Sequence, residues 1–226
     1  GVKSVATIEH FTQQIAEFLL KRQVKALIIA CNTMAAVAAD VVRRVAGDVP
    51  VLDVIDAGAR AAVAATQSQG IAVIATPTTI NSNAYARAMH QLNPDVRVYS
   101  QACPLFVPLV EEGWLDHPVT LLTAQEYLKS VLVEEVDTLV LGCTHYPLIK
   151  PLLQQVAGDK MNIVDSAVTT AEATARRLGE LGLLNPQRTM PSYQYFVTDI
   201  PLRFQTIGER FLGRSIHKLE MVRLGA

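Results

Sequence analysis

The sequence lacks an excess of charge of either sign, and it lacks long hydrophobic runs. Its 226 residues carry 20 basic and 21 acidic side chains, for a formal net charge of −1. Because no cluster of Lys or Arg forms, nucleic acid and anionic membranes are disfavoured as partners. Charged residues interrupt every apolar stretch well short of the about 18 residues that a transmembrane helix needs. Residues 1–9 also lack the apolar core of a signal peptide, so we expect a soluble, cytoplasmic protein.

Cysteine is scarce, and cofactor motifs are missing. The three cysteines, Cys31, Cys103 and Cys143, lie far apart in the sequence, which fits free thiols in a reducing compartment better than a disulfide framework. No C-x-x-C pair indicates a disulfide oxidoreductase. No further zinc ligands cluster near one cysteine, and no glycine-rich phosphate loop stands out. We therefore expect chemistry that needs neither a metal nor a cofactor.

What the sequence does contain is a regular alternation of short apolar runs and helical patterns. Such alternation predicts an α/β fold, with mainly parallel sheets flanked by helices. The run at 26–30 has the continuous apolar character of a strand buried on both faces. The other predicted strands are 51–54, 71–75, 96–99, 137–141, 161–164 and 193–198. Predicted helices after the first, which ends near residue 22, are 34–45, 57–66, 79–91, 104–113, 123–134, 148–156, 167–181 and 201–212.

Two segments of the chain echo each other around a cysteine. Ala-Leu-Ile-Ile-Ala-Cys-Asn-Thr at 26–33 resembles Thr-Leu-Val-Leu-Gly-Cys-Thr-His at 138–145, with the cysteines 112 residues apart. Each cysteine follows a predicted strand and precedes a predicted helix. Ligands of open α/β sheets bind at the carboxyl ends of strands. A duplicated half-fold would therefore bring Cys31 and Cys143 face to face across a cleft.

A pair of thiols in such positions suits acid–base chemistry. The N-terminus of a helix lowers the pKa of a thiol from about 8.5 toward neutrality. A single buried cysteine is more often a packing residue, but two matched contexts make that reading much weaker. A Cys–His hydrolase would leave the second cysteine unexplained. Racemisation uses two groups, one that removes the α-proton and one that returns it from the opposite face.

The polar residues beside the two cysteines can each be interpreted in more than one way. Asn32, Thr33 and Thr144 can cap the following helix or turn their polar groups toward a bound carboxylate. His145, two residues after Cys143, can hold or share its proton.

At this point the motifs resemble those of a known family. Ala-Cys-Asn-Thr at 30–33 and Leu-Gly-Cys-Thr-His-Tyr-Pro at 141–147 resemble the two signature motifs of bacterial glutamate racemases. The segments 75–85 and 103–113 resemble further stretches shared by that family, and they contain Thr76, Thr79 and Glu111. Aspartate racemases have a similar pattern but usually lack the histidine.

The resemblance implies two pseudo-symmetric α/β domains with the active site in the cleft between them. It implies domains of residues 1–56 plus 167–226 and of residues 57–166. The reaction implied is cofactor-independent interconversion of L- and D-glutamate, which supplies D-glutamate for peptidoglycan. Cys31 would act on the D-glutamate side and Cys143 on the L-glutamate side. The residues implied as catalytic are Cys31, Cys143, His145 and Glu111, and those implied as substrate-binding are Gly1, Asn32, Thr33, Thr76, Thr79, Thr144 and His145.

The resemblance also leaves alternatives and departures. The family opens with a strand and an Asp-Ser-Gly loop, whereas this sequence begins at what resembles the glycine of a later Pro-Tyr-Gly motif. The alternatives are a racemase of aspartate or another amino acid, and a non-catalytic interaction role such as restraint of DNA gyrase. The partners to look for are the glutamate enantiomers, a peptidoglycan precursor as activator, and a second copy of the chain as a homodimer.

Overall fold

The computed structural model describes residues 3–187 and 190–225. In that part of the chain, helices and strands alternate as the sequence predicts. The strands are β1 (Leu27–Ile29), β2 (Val51–Asp53), β3 (Gly70–Ala75), β4 (Arg97–Ala102), β5 (Thr138–Gly142), β6 (Asn162–Asp165), β7 (Tyr195–Val197) and β8 (Leu219–Met221). The α-helices are α1 (Val5–Leu20), α2 (Asn32–Ala46), α3 (Val54–Ala65), α4 (Pro77–Asn81), α5 (Ala84–Leu92), α6 (Phe106–Glu111), α7 (Pro118–Leu132), α8 (Lys150–Ala157), α9 (Ser166–Glu180) and α10 (Pro201–Leu212). A 3₁₀ helix, Tyr146–Ile149, leads into α8.

The chain folds into two compact units, residues 1–182 and 183–226. In the first unit, β1 pairs with β2, and four parallel strands form a sheet in the order β4-β3-β5-β6. In the second unit, β7 pairs in parallel with β8. The predicted α/β class, with parallel sheets flanked by helices, is confirmed. The expected domain division, 1–56 plus 167–226 against 57–166, stays a prediction.

The four-stranded sheet has a hydrophobic core on each of its faces. Side chains alternate across a strand, so Ile71 and Val73 of β3 join one core, and Ala72 and Ile74 join the other. Every residue of β3 and of β5 is buried. This two-sided burial explains why both strands read as continuous apolar runs rather than as alternating ones. The same rigid strands end at the residues that form the candidate site.

Strand β1 differs from its prediction. It was expected to be buried on both faces, but only Leu27 and Ile29 join the core, and Ile28 is 44% exposed. The prediction was wrong because β1 packs its core on one face only, so the isoleucine between the two buried residues points away from it. An apolar run as short as residues 26–30 cannot by itself distinguish the two cases.

The predicted helix at 79–91 is two helices. α4 ends at Asn81 and α5 begins at Ala84, with Asn83 in the left-handed conformation at φ 55°. The Ser82 hydroxyl donates to the carbonyl of Thr79 and accepts from the amide of Ala84, so the side chain takes over bonds that a helix would use. The break sets the direction of α5, which carries a residue of the candidate site. No helix among the described residues has the length and apolar character needed to cross a membrane.

Candidate active site

The first cysteine lies where β1 gives way to α2. Cys31 is the N-cap residue of α2, is half-buried, and makes no capping hydrogen bond through its side chain. The helix that follows has 15 residues, so its positive end faces the thiol. The predicted strand–cysteine–helix arrangement is therefore observed at Cys31.

The second cysteine lies at the end of β5 and begins a chain of ionisable groups. Cys143 is 6% exposed, and its Sγ lies 3.8 Å from Nδ1 of His145. The Nε2 of the same ring lies 3.3 Å from Oε1 of Glu111. A carboxylate beside Nε2 favours the tautomer that carries its proton there, which leaves the Nδ1 lone pair facing the thiol. The three side chains therefore form a path along which the Cys143 proton can move.

Burial controls the protonation of this second cysteine. Burial and, to a smaller extent, a negative charge at Cys31 raise the pKa of the Cys143 thiol, and the backbone N–H groups of His145 and Tyr146 oppose the rise. The net pKa is about 12. The expectation that the helix end lowers the pKa is wrong for Cys143, because only a short 3₁₀ helix follows closely and desolvation outweighs it. At neutral pH Cys143 is held as the thiol.

The imidazole next to it is held neutral. Burial lowers the pKa of His145, and the charge and hydrogen bond of Glu111 raise it in part. Because the net direction is down, the ring keeps a free nitrogen lone pair at neutral pH. A neutral imidazole can accept a proton from a thiol, whereas an imidazolium cannot.

Three threonine hydroxyls meet in a triangle beside the first cysteine. The hydroxyl oxygens of Thr33 and Thr76 lie 3.0 Å apart, those of Thr33 and Thr79 3.3 Å, and those of Thr76 and Thr79 3.1 Å. All three residues are buried. Thr76 occupies the N-cap position of α4 but makes no capping bond through its side chain. The hydroxyl group of each threonine therefore belongs to a polar cluster rather than to a helix cap.

Asn32 also does not cap α2, contrary to one of its two predicted readings. The helix begins at Asn32 itself, so the capping position belongs to Cys31. The Asn32 side chain instead accepts a hydrogen bond from the hydroxyl of Tyr85, with 2.7 Å between Oη and Oδ1. Sequence reasoning missed Tyr85 as a site residue. Its only signal is its place in the segment 75–85, which also carries Thr76 and Thr79.

The remaining predicted residues divide as follows. Thr144 is half-buried in the turn between Cys143 and His145. Gly1 lies outside the described residues. The structure thus groups Asn32, Thr33, Thr76 and Thr79 at the start of α2 and α4, and it groups Cys143, His145 and Glu111 after β5.

The two groups lie near each other, although no disulfide joins their thiols. The charge of Cys31 acts on the pKa of Cys143, and the charge of Cys143 acts on that of Tyr85, which touches Asn32. All three cysteines are free. Among the described residues, no group of three or more His, Cys, Asp or Glu side chains is arranged to hold a metal ion.

Comparison with known proteins decides the family. The model of the Asp/Glu/Hydantoin racemases matches residues 2–174. The chain belongs to the Asp/Glu/Hydantoin racemase family. The glutamate racemase of Syntrophus aciditrophicus is 65% identical over 224 residues, which cover 99% of this chain and 83% of that protein. The glutamate racemase of Neisseria meningitidis (strain Z2491) is 60% identical over 225 residues, covering 100% and 83%.

Solved structures of the family have the same fold. A glutamate racemase from Francisella tularensis in complex with D-glutamate superposes with a TM-score of 0.92 at 42% identity, over 98% of this chain and 82% of that one. A Bacillus anthracis glutamate racemase superposes with a TM-score of 0.93 at 36% identity. The predicted resemblance to glutamate racemases is confirmed.

Proposed function

We propose that this protein interconverts L-glutamate and D-glutamate without a cofactor, using Cys31 and Cys143 as its two acid–base groups. The observation that carries the proposal is that the two free thiols each follow a parallel strand, and that their neighbours Asn32 and Gly142 both lie against Tyr85. Relatives named glutamate racemase at 60–65% identity support glutamate as the substrate.

The protonated state of Cys143 suits one direction of the reaction directly. The Cys31 thiolate removes the α-proton of D-glutamate, and the electron pair is held by the substrate as a carbanion. The Cys143 thiol, kept protonated by burial, delivers its proton to the opposite face. L-glutamate leaves, with Cys31 as thiol and Cys143 as thiolate. Each step moves one proton, so the balance is complete.

The opposite direction needs Cys143 as the base. Its raised pKa makes the thiolate costly, and the neutral imidazole of His145 is placed to take up the thiol proton while Glu111 stabilises the imidazolium that forms. In this proposal His145 and Glu111 assist one half of the reaction. They do not contact the α-carbon.

Polar side chains near Cys31 are proposed to hold the amino acid. The hydroxyls of Thr33, Thr76 and Thr79 can each reorient to donate to a carboxylate, and the buried amide of Asn32 adds a further donor. Thr144 and Gly1 complete the proposed binding set, as the resemblance implies.

The test is racemisation of each enantiomer of glutamate and of aspartate by full-length protein, followed by circular dichroism. We expect turnover of glutamate in both directions and much slower turnover of aspartate. Cys103→Ser is the matched control, because this cysteine is wholly buried in a hydrophobic core. It should keep turnover within about twofold and reduce the free energy of unfolding by about 1–3 kcal/mol. Faster racemisation of aspartate than of glutamate would overturn the substrate assignment.

The wider role is also a proposal. D-glutamate made in this way would enter peptidoglycan synthesis in the cytoplasm. Activation by a peptidoglycan precursor, a homodimeric state and any restraint of DNA gyrase stay predictions.

A further inference from the structure

Tyr85 occupies a space that two glycines leave open for it. Its ring is 3% exposed. A Cβ atom on Gly58 of α3 would lie 3.1 Å from its hydroxyl oxygen, and a Cβ on Gly142 at the end of β5 would lie 3.2 Å from its Cε2. Both distances are tighter than ordinary van der Waals contact. The ring is therefore fixed between α3 and the residue that precedes Cys143.

The phenol of Tyr85 is committed as a hydrogen-bond donor. Its hydroxyl donates to Oδ1 of Asn32, with 2.7 Å between the two oxygens. Burial raises the pKa of Tyr85, and the nearby charges of Asp53 and Cys143 raise it further. The hydroxyl consequently keeps its proton throughout the pH range in which proteins fold.

This bond uses the oxygen of the Asn32 amide and leaves its NH₂ group buried without a hydrogen-bond partner. Asn32 is 2% exposed, and its Nδ2 is the one buried side-chain nitrogen or oxygen of the described residues without a hydrogen-bond partner. A buried donor left unpaired costs about 1–3 kcal/mol. An acceptor that arrives with a ligand removes that cost, so the orphan N–H group marks where a ligand oxygen binds.

We propose that Tyr85 is a positioning residue that holds the Asn32 amide with its NH₂ group turned toward an acceptor oxygen of the amino-acid substrate. The proposal rests on the function proposed above. Without the phenol, nothing distinguishes the two ends of the amide, and the NH₂ group spends part of its time facing away from the substrate. Tyr85 itself does not touch the reacting atoms.

The direct test is Tyr85→Phe, which keeps the ring and removes the hydroxyl. We expect KM to rise about 5- to 100-fold for both enantiomers, the range that corresponds to an unpaired buried group, while kcat changes far less. The matched control is Tyr127→Phe, since that hydroxyl also takes part in one hydrogen bond, with the backbone N–H of Leu105 at 3.2 Å. The control should keep the KM of the unaltered protein. An unchanged KM in Tyr85→Phe would overturn the proposal.

A double-mutant cycle separates positioning from a merely structural role. Asn32→Ala should raise KM, and adding Tyr85→Phe to it should raise KM no further, because the amide that the phenol orients is gone. Equal effects of Tyr85→Phe with and without Asn32 would show that the phenol acts only on the fold, and the proposal would fail.

A second variant reaches the same hydrogen bond if Tyr85→Phe does not fold. Gly58→Ala places a methyl group against the Tyr85 hydroxyl, within a helix that otherwise tolerates alanine well. It should raise KM in the same way, and an unchanged KM would again count against the proposal. If the unaltered protein does not racemise glutamate, the proposed function fails. If it does and these variants keep its KM, only the role of Tyr85 fails.

Discussion

Cys31 and Cys143 each follow a parallel strand, yet their surroundings differ in three respects. Cys31 is half-buried, and a 15-residue α-helix begins directly after it. Cys143 is 6% exposed and is followed by a 3₁₀ helix of four residues. Beside Cys31 lie the neutral side chains of Asn32 and Thr33, whereas beside Cys143 lies His145, which pairs with Glu111.

The comparison teaches that a duplicated strand–cysteine pattern need not give two equivalent bases. Desolvation holds the Cys143 proton in place, and the imidazole offers that proton a path out. The side of Cys31 provides polar donors instead. We infer that the residues around Cys31 mainly bind the substrate, and that the residues around Cys143 mainly transfer a proton.

The largest expected effect comes from removing either thiol. Serine is similar in size to cysteine but is a far weaker acid, so it is a poor base near neutral pH. Cys31→Ser and Cys143→Ser should each reduce racemisation by about 10²- to 10⁴-fold. In heavy water, Cys31→Ser should still exchange the α-proton of L-glutamate without inversion, and Cys143→Ser that of D-glutamate. Nuclear magnetic resonance measures both exchanges.

The exchange experiment can refute the assignment of different roles to Cys31 and Cys143. If each variant exchanged both enantiomers equally, one thiol would serve both faces, and the two-base mechanism would be wrong. If Cys31→Ser exchanged only D-glutamate and Cys143→Ser only L-glutamate, the assignment of the two faces would have to be reversed.

An intermediate effect is expected from Glu111→Gln, which removes the charge next to His145. Without that charge the pKa of His145 falls further below its usual value, because the carboxylate is what partly raises it. The acid limb of the pH–rate profile should therefore move to lower pH, while kcat in the L-to-D direction falls about tenfold or more. Enantiomers have equal free energies, so kcat/KM stays equal in both directions for every variant. The asymmetry appears in kcat and in proton exchange.

The adjacent Glu112 provides the matched control for that experiment. It is exposed, so Glu112→Gln should leave both the pH profile and kcat unchanged. If the acid limb of Glu111→Gln stayed in place or moved to higher pH, Glu111 would not control the pKa of His145. Such a result would leave the two cysteine regions more alike than the structure indicates.

The strands differ in how well they could be predicted from the sequence. Continuous apolar runs located β3 and β5, because strands buried on both faces leave a strong signal. They did not locate β8, whose residues Glu220 and Met221 are exposed and carry no such pattern. The observed helix boundaries differ from the predicted ones where a side chain, such as that of Ser82, replaces backbone hydrogen bonds of the helix.

At the site, residue types were predictable and their environments were not. The matched motifs located both cysteines and the residues next to them. The raised pKa of Cys143 depends on how deeply the end of β5 is buried, which is a property of the tertiary structure. Tyr85 lies 53 positions after the asparagine it contacts, and no local pattern joins two residues at that separation. The sequence alone therefore could not reveal the asymmetry between the thiols.

The smallest expected effect concerns the other end of the strand that carries Cys143. The Asp137 carboxylate, just before β5, accepts hydrogen bonds from the hydroxyls of Thr66 and Thr138 and from the backbone amides of Gln67 and Ser68. Partial burial by itself raises the pKa of Asp137, but these bonds outweigh it and lower the pKa to about 2. Since the folded-state pKa is depressed, the stabilisation is present above the unfolded-state value of about 3.9 and is lost as the pH falls toward 2.

Asp137→Asn should remove that part of the acid sensitivity. We expect the free energy of unfolding, measured with urea between pH 2 and 7, to fall by no more than about 1 kcal/mol at neutral pH, because solvent screens a carboxylate that is only half-buried. The slope between pH 4 and 2 should flatten, whereas Asp95→Asn, at an exposed position, should leave it unchanged. The racemisation rate should stay the same, because Asp137 lies at the opposite end of β5 from Cys143. A large loss of activity in a folded Asp137→Asn variant would mean that the position of Cys143 depends on how its strand begins, and the two cysteine regions would then differ in rigidity as well as in protonation.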